Sequence, residues 1–260
     1  MASAGFFALR FLAAVGVAVI AYWPLMKVAG WASSKLASWI DTGNLPYYHG
    51  RLLWMFPAWF LCVLVLYLAV FPFLGGANPW RLFVAGLGWS DLVRGVLLGI
   101  GEASAAMLVA VYALRLAQPL RRRQVGADAA LEYRILGQTG WMRSYKSLFE
   151  IIPFPWSYLV VVLPLIAEEL LFRGLMVPLF LPYGVWVAVV ASTVVFMGAQ
   201  VARLPSWYQG LAPVCGAAIM GLANAYLFTL KPNLTPLSLA HAVFLGFFLG
   251  SSSPSSKSAG

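Results

Sequence analysis

Ala167-Glu168-Glu169-Leu170-Leu171-Phe172-Arg173-Gly174 sets two adjacent carboxylates and a guanidinium inside an apolar run otherwise long enough to cross a membrane. Ser157 to Ala167 before it carries no charge, and neither does Leu175 to Val190 after it. Insertion scales charge about 2.5–3.5 kcal/mol for each ionised group at the bilayer centre, so three together need pairing or water. A cluster of this kind marks a site as well as a span.

The rest of the chain agrees with that setting. It is 62% hydrophobic and 10% charged, with a mean hydropathy of +0.85, where a soluble domain carries about 25% charged residues. The apolar runs are too long for strands and do not alternate. The fold class they imply is all-α, a polytopic transmembrane helical bundle rather than a β-barrel. About seven spanning helices of membrane-crossing length are expected: Phe6 to Met26, Leu52 to Leu74, Leu92 to Leu114, Trp156 to Phe180, Val185 to Val201, Leu211 to Leu230 and Pro236 to Leu249. Arg10 lies close enough to one end of the first span to snorkel to the interface. Trp31 to Ile40 reads as a short interfacial helix, and Ala127 to Leu136 as a surface helix before the turn Gly137-Gln138-Thr139-Gly140. The chain divides into residues 1–155, N-terminal helices with a basic loop; 156–250, a transmembrane core; and 251–260, a Ser-rich disordered tail.

The net charge of +9 does not point to nucleic acid. Arg115, Arg121, Arg122, Arg123, Arg134, Arg143 and Lys146 share one hydrophilic connection, the pattern of a cytoplasmic loop facing anionic headgroups. Membrane lipids are the partner this implies, and a bacterial-type inner (plasma) membrane with the 115–155 loop cytoplasmic is the location. The first apolar run lacks the basic n-region and cleavage site of a signal peptide. Cys62 and Cys215 both fall in apolar runs and read as packed thiols. Two histidines, His49 in a polar connection and His241, are too few for a zinc centre, so no metal is expected. No phosphate loop or dinucleotide fingerprint calls for another cofactor.

On a helix, Glu169 and Arg173 are spaced i, i+4 and can pair directly. Glu168 lies about 100° round from Glu169 on a 3.6-residue helix and points elsewhere. One carboxylate is thereby neutralised while the other stays available to water as a general base. Spacing alone leaves open whether the trio is instead an ion cluster knitting helices together. Glu102 falls in Gly99-Ile100-Gly101-Glu102-Ala103-Ser104-Ala105-Ala106, whose small residues allow close helix approach. It is either an intramembrane polar site facing the same interior or a carboxyl tied to a neighbouring serine or backbone group.

Glu168-Glu169-x-x-x-Arg173 followed by Gly resembles the first motif of the CPBP family, the CAAX prenyl protease and bacteriocin-processing proteins, also called Abi proteins or glutamic intramembrane endopeptidases. The resemblance covers about Tyr158 to Leu249. It implies that Glu168 activates water and that Glu169 pairs with Arg173. The family's second motif, Phe-x-x-x-His, aligns with Phe196-Met197-Gly198-Ala199-Gln200. Its third, His-x-x-x-Asn or Asp, aligns with His241-Ala242-Val243-Phe244-Leu245, with His241 and the missing Asn at the oxyanion. Gln200 can hydrogen-bond a water but cannot take up a proton as imidazole does. Leu245 offers no donor, and losing one oxyanion donor costs roughly 10²–10³ in rate.

The resemblance with these departures implies a weakened or inactive intramembrane peptidase, a pseudoenzyme at the limit, whose substrate would be a membrane-associated peptide. The alternative is a non-catalytic structural or assembly subunit of a larger membrane-protein complex. A small transporter using Glu102 and Glu168 as proton-linked groups is a weaker fit, since no internal repeat is visible.

Overall fold

The computed structural model describes residues 4–40, 47–76, 78–84, 88–117, 141–153, 155–202, 204 and 207–251. The regular elements among them are all helical. The N-terminal part holds α1 (Ala4–Tyr22), α2 (Pro24–Trp39), α3 (Tyr47–Leu74), the short α4 (Pro79–Val84) and the long α5 (Trp89–Ala117). After the basic connection come α6 (Trp141–Ile151) and α7 (Trp156–Glu169), which runs on through a π-helix, Leu170–Met176, into α8 (Val177–Phe180). A 3₁₀ turn at Leu181–Tyr183 leads to α9 (Val185–Val201), then α10 (Trp207–Leu230) and α11 (Thr235–Ser251).

Four segments are long and apolar enough to cross a membrane: Gly5–Trp39, His49–Leu74, Trp89–Ala117 and Gly210–Leu230. Val185–Val201 and Thr235–Phe247 are shorter apolar helices. The motif-bearing stretch from α7 to α8, read from the sequence as one span, is a helix of three pieces. The protein is an all-α membrane bundle.

Three local expectations need correcting. The first helix ends at Tyr22 rather than Met26, because Pro24 begins α2. Proline has a fixed φ and no N–H, which suits the first turn of a helix and breaks a longer one. Trp31 to Trp39 is accordingly the second half of α2, with Ile40 as its C-cap, not a separate piece. Arg10 does not snorkel outward. Its Nη1 donates to the Leu179 carbonyl at 2.8 Å and its guanidinium stacks over Tyr183 at 5.6 Å, meeting carbonyls left open where α8 ends. The surface helix placed at 127–136, with Arg121 to Arg123, Arg134, Arg203 and the tail beyond Ser251, lies outside the described residues. In the same connection the described helix is α6.

The largest core cluster joins both ends of the chain. Ala14, Ala21, Trp59 and Tyr67 pack with Phe172, Met176, Phe196 and Leu237. α5 lies along α11 at very close range. A Cβ added at Gly95 would stand 2.6 Å from the Pro236 carbonyl oxygen, and one at Gly99 would strike the Ala240 carbonyl. Close approach through small residues is how helices associate where the surroundings are as apolar as the side chains. At the opposite end of α10, Lys231 Nζ donates to both oxygens of Asp91 at 2.9 and 2.8 Å, fastening the α10–α11 connection to the start of α5. Cys62 and Cys215 are free thiols, Cys215 buried and Cys62 partly so.

Candidate functional site

The charged motif sits where α7 gives way to the π-helix. Glu168 and Glu169 are the last two α-helical residues and Arg173 lies in the wider turn. π-turns inside α-helices occur frequently at functional sites. Arg173 is fully buried. Its Nη1 lies 3.3 Å from Glu169 Oε1, without the alignment of a hydrogen bond. Its Nη2 donates to the Met220 carbonyl on α10 at 3.1 Å, and the guanidinium covers the Phe196 ring at 4.6 Å. A buried ion pair holds only when its other lone pairs and protons find partners.

Glu169 Oε1 takes more than the arginine. His241 Nδ1 lies 2.9 Å away and Asn224 Nδ2 3.5 Å away. One carboxylate oxygen therefore gathers α7, the π-helix, α10 and α11. Glu168 faces a different set, as the helical offset requires. Tyr22 donates its hydroxyl to Oε1 at 2.6 Å. Gln200 Nε2 lies 3.2 Å from each oxygen, and His241 Nε2 is 3.7 Å from Oε2. The imidazole thus stands between the two carboxylates, one ring nitrogen toward each.

Glu168, Gln200 and Tyr145 form the wall between two cavities. One, of about 50 Å³, is also lined by His241, Phe196, Met220 and Leu245. The other, of about 70 Å³, is lined by Tyr22, Trp59, Met55 and Ser144. Each has room for more than one water, which needs roughly 10–15 Å³ on this measure. Around them the lining is apolar, so polar chemistry is confined to the shared wall and its neighbours.

Of the residues singled out from sequence, Glu168, Glu169, Arg173, Gln200 and His241 come together. Glu102 is buried on α5, and neither of its oxygens has a hydrogen-bond partner among the described residues. The serine or backbone tie is not found there. Glu102 lies within electrostatic range of Glu169 and Arg173 but lines neither of the two cavities. No group of three His, Cys, Asp or Glu side chains suited to a metal ion occurs among the described residues.

Two contributors were missed. Tyr22 comes from α1, and no sequence signal separated it from an ordinary interfacial aromatic. Asn224 had a signal, since an amide in the middle of the apolar run Gly221 to Leu230 is an intramembrane polar residue.

A helical membrane bundle with a glutamate facing internal cavities, backed by a second glutamate and an arginine, is the class this geometry defines. Residues 150–247 match the family model described as Type II CAAX prenyl endopeptidase Rce1-like. That segment, well under half of the chain, is similar to the CAAX prenyl protease, or CPBP, family. The matched segment contains Glu168, Glu169, Arg173, Gln200 and His241, whereas Tyr22 and Glu102 lie outside it. No curated protein and no solved structure matches the chain.

Proposed function

We propose that the protein is an intramembrane peptidase of the CPBP type with strongly reduced turnover, acting on a membrane-associated peptide. Glu168 removes a proton from a water that Gln200 holds by hydrogen bonding. The water oxygen attacks the peptide carbonyl, and Glu168 returns the proton to the leaving amine. Glu169, fixed by Arg173, holds His241 upright beside the reacting groups. The observation that carries this reading is the Glu168 carboxylate on the wall of both cavities, with Gln200 and His241 grouped on it. An ion cluster serving packing alone has no need of a second carboxylate turned toward open space.

One observation favours the non-catalytic alternative. Leu245, where the family pattern has an oxyanion donor, is 4% exposed and belongs to an apolar cluster with Leu52, Phe56 and Leu148. On that alternative the fold serves as a subunit of a membrane complex.

The family's name makes a fluorogenic prenylated CAAX peptide the first probe, offered to the full chain in lipid nanodiscs with enzyme in excess. Slow cleavage that Glu168→Gln abolishes is the expected result. If neither the natural chain nor a Gln200→His/Leu245→Asn variant cleaves any of a panel of prenylated and leader-type peptides, the peptidase reading fails. The membrane orientation we propose places the 115–155 loop on the cytoplasmic side of a bacterial-type inner membrane. Labelling of cysteines introduced at 121–123 from one side only tests it.

A further inference from the structure

A glutamate-activated water attacking a peptide carbonyl leaves negative charge on the carbonyl oxygen, and fixed donors at that point carry a large share of the rate. Position 245 supplies none here. His241 is constrained as well. Its Nδ1 lies 2.9 Å from Glu169 Oε1, and a carboxylate only accepts, so Nδ1 carries the proton. The neutral ring then presents a bare Nε2 toward Glu168 and donates there only as an imidazolium. Gln200 is committed to the carboxylate and to the water it activates.

Tyr22 is a neutral donor held on the Glu168 carboxylate. Its hydroxyl is 2.6 Å from Oε1, and it lines the 70 Å³ cavity together with Ser144, Glu168 and Gln200. Leu245 does not line that cavity; it lines the other. Tyr145 lines both cavities, whereas the Tyr22 and Ser144 hydroxyls belong only to the one away from Leu245. The break before Pro24 makes Tyr22 the last residue of α1, so the helix ends at the depth of the carboxylate.

We propose that Tyr22 is a catalytic residue that supplies the oxyanion hydrogen bond lost at position 245, to a carbonyl lodged in the Tyr22-lined cavity. The assignment rests on the reading that Glu168 activates water. In the resting site Glu168 is the acceptor for the phenol. As Glu168 takes the water proton it loses its negative charge, while the carbonyl π pair moves onto oxygen as the new C–O bond forms. The phenol then turns to the stronger acceptor. When the C–N bond breaks, the oxyanion pair returns to the carbonyl and Glu168 protonates the leaving amine. Tyr22 keeps its proton throughout, and no further reactant is needed.

Tyr22→Phe tests this, because the ring contacts to Trp59 at 5.3 Å and Phe172 at 6.2 Å survive without the hydroxyl. Single-turnover cleavage of the prenylated peptide is measured across pH for the natural chain, Tyr22→Phe, Leu245→Asn and the double variant, with melting of each. We expect Tyr22→Phe to lower the rate plateau about 10²–10³-fold, the loss typical of one oxyanion donor. KM and melting should stay unchanged, and Leu245→Asn, which changes the lining of the other cavity, should not recover the loss. An undiminished rate in Tyr22→Phe overturns the assignment and leaves the peptidase reading standing. So does a shifted pH limb with an unchanged plateau, which would mean that Tyr22 only holds Glu168. A loss that Leu245→Asn fully relieves would put the carbonyl in the other cavity and overturns it too. If the natural chain cleaves nothing under any condition, the peptidase reading falls and takes the Tyr22 assignment with it.

Discussion

Gln200 Nε2 lies 3.2 Å from both carboxylate oxygens of Glu168, so a single amide spans the open face of the proposed base. The family pattern implies an imidazole at this position. An amide can orient a water, but it offers no second site for a proton.

Gln200→His should therefore raise turnover. A positioned acid–base group contributes roughly 10²–10⁴-fold, and we expect the lower end of that range, since Leu245 is unchanged. Cleavage rates with enzyme in excess measure it. A rate no higher than that of the natural chain would show that the amide is not the limiting defect.

Arg173→Ala should damage the fold more than Glu168→Gln. Removing the arginine strands the Glu169 carboxylate in the interior, and breaking a buried pair in this way costs about 3–5 kcal/mol. Glu168→Gln keeps the shape and can still hydrogen-bond. Thermal unfolding of both variants in one detergent decides the order, and equal melting would remove the structural role assigned to Glu169 and Arg173. Arg173→Lys should recover only part of the loss, since an ammonium cannot reach Glu169 and Met220 while also covering Phe196.

Gly95→Ala and Gly101→Ala form a matched pair on α5. The first adds a methyl 2.6 Å from the Pro236 carbonyl, whereas the second meets nothing within 4 Å. Overpacking typically costs about 1–3 kcal/mol. Gly95→Ala should lower the melting temperature, while Gly101→Ala should hold or raise it. Loss in both would point to helix flexibility rather than to contact with α11.

Glu102→Met should raise stability. Both carboxyl oxygens are buried without a hydrogen-bond partner among the described residues, and replacing such a group by an apolar one of similar size is neutral or favourable. A lower melting temperature in the variant would reveal a partner for the carboxyl.

The motif was legible because charge inside an apolar run is rare, and the helical offset between Glu168 and Glu169 correctly separated their surroundings. Gln200 and His241 were found by their spacing from family motifs, not by their own chemistry. Tyr22 was illegible, since only packing across 146 residues brings it to Glu168. The π-helix left no trace in the pattern either, because Leu170 to Met176 reads equally well as α-helix. The helix end that Gly184 imposes, at φ +116°, was legible, whereas the break at Pro24 was read through. The position of Arg10 was not. Snorkelling and donation to Leu179 differ only in what lies beside α1.

The carboxylates reach their partners across long stretches of chain, and this bears on how the protein enters the membrane. When α7 emerges, α11 with His241 has yet to be synthesised, and Asn224 is also missing. Arg173 is the one basic residue between Trp156 and Phe180. It travels in the same helix as Glu169, four residues away. The helix can thus insert with one of its acids already neutralised, leaving Glu168 to meet Tyr22, which entered first. The arginine that later braces the site serves beforehand as an escort for its own segment.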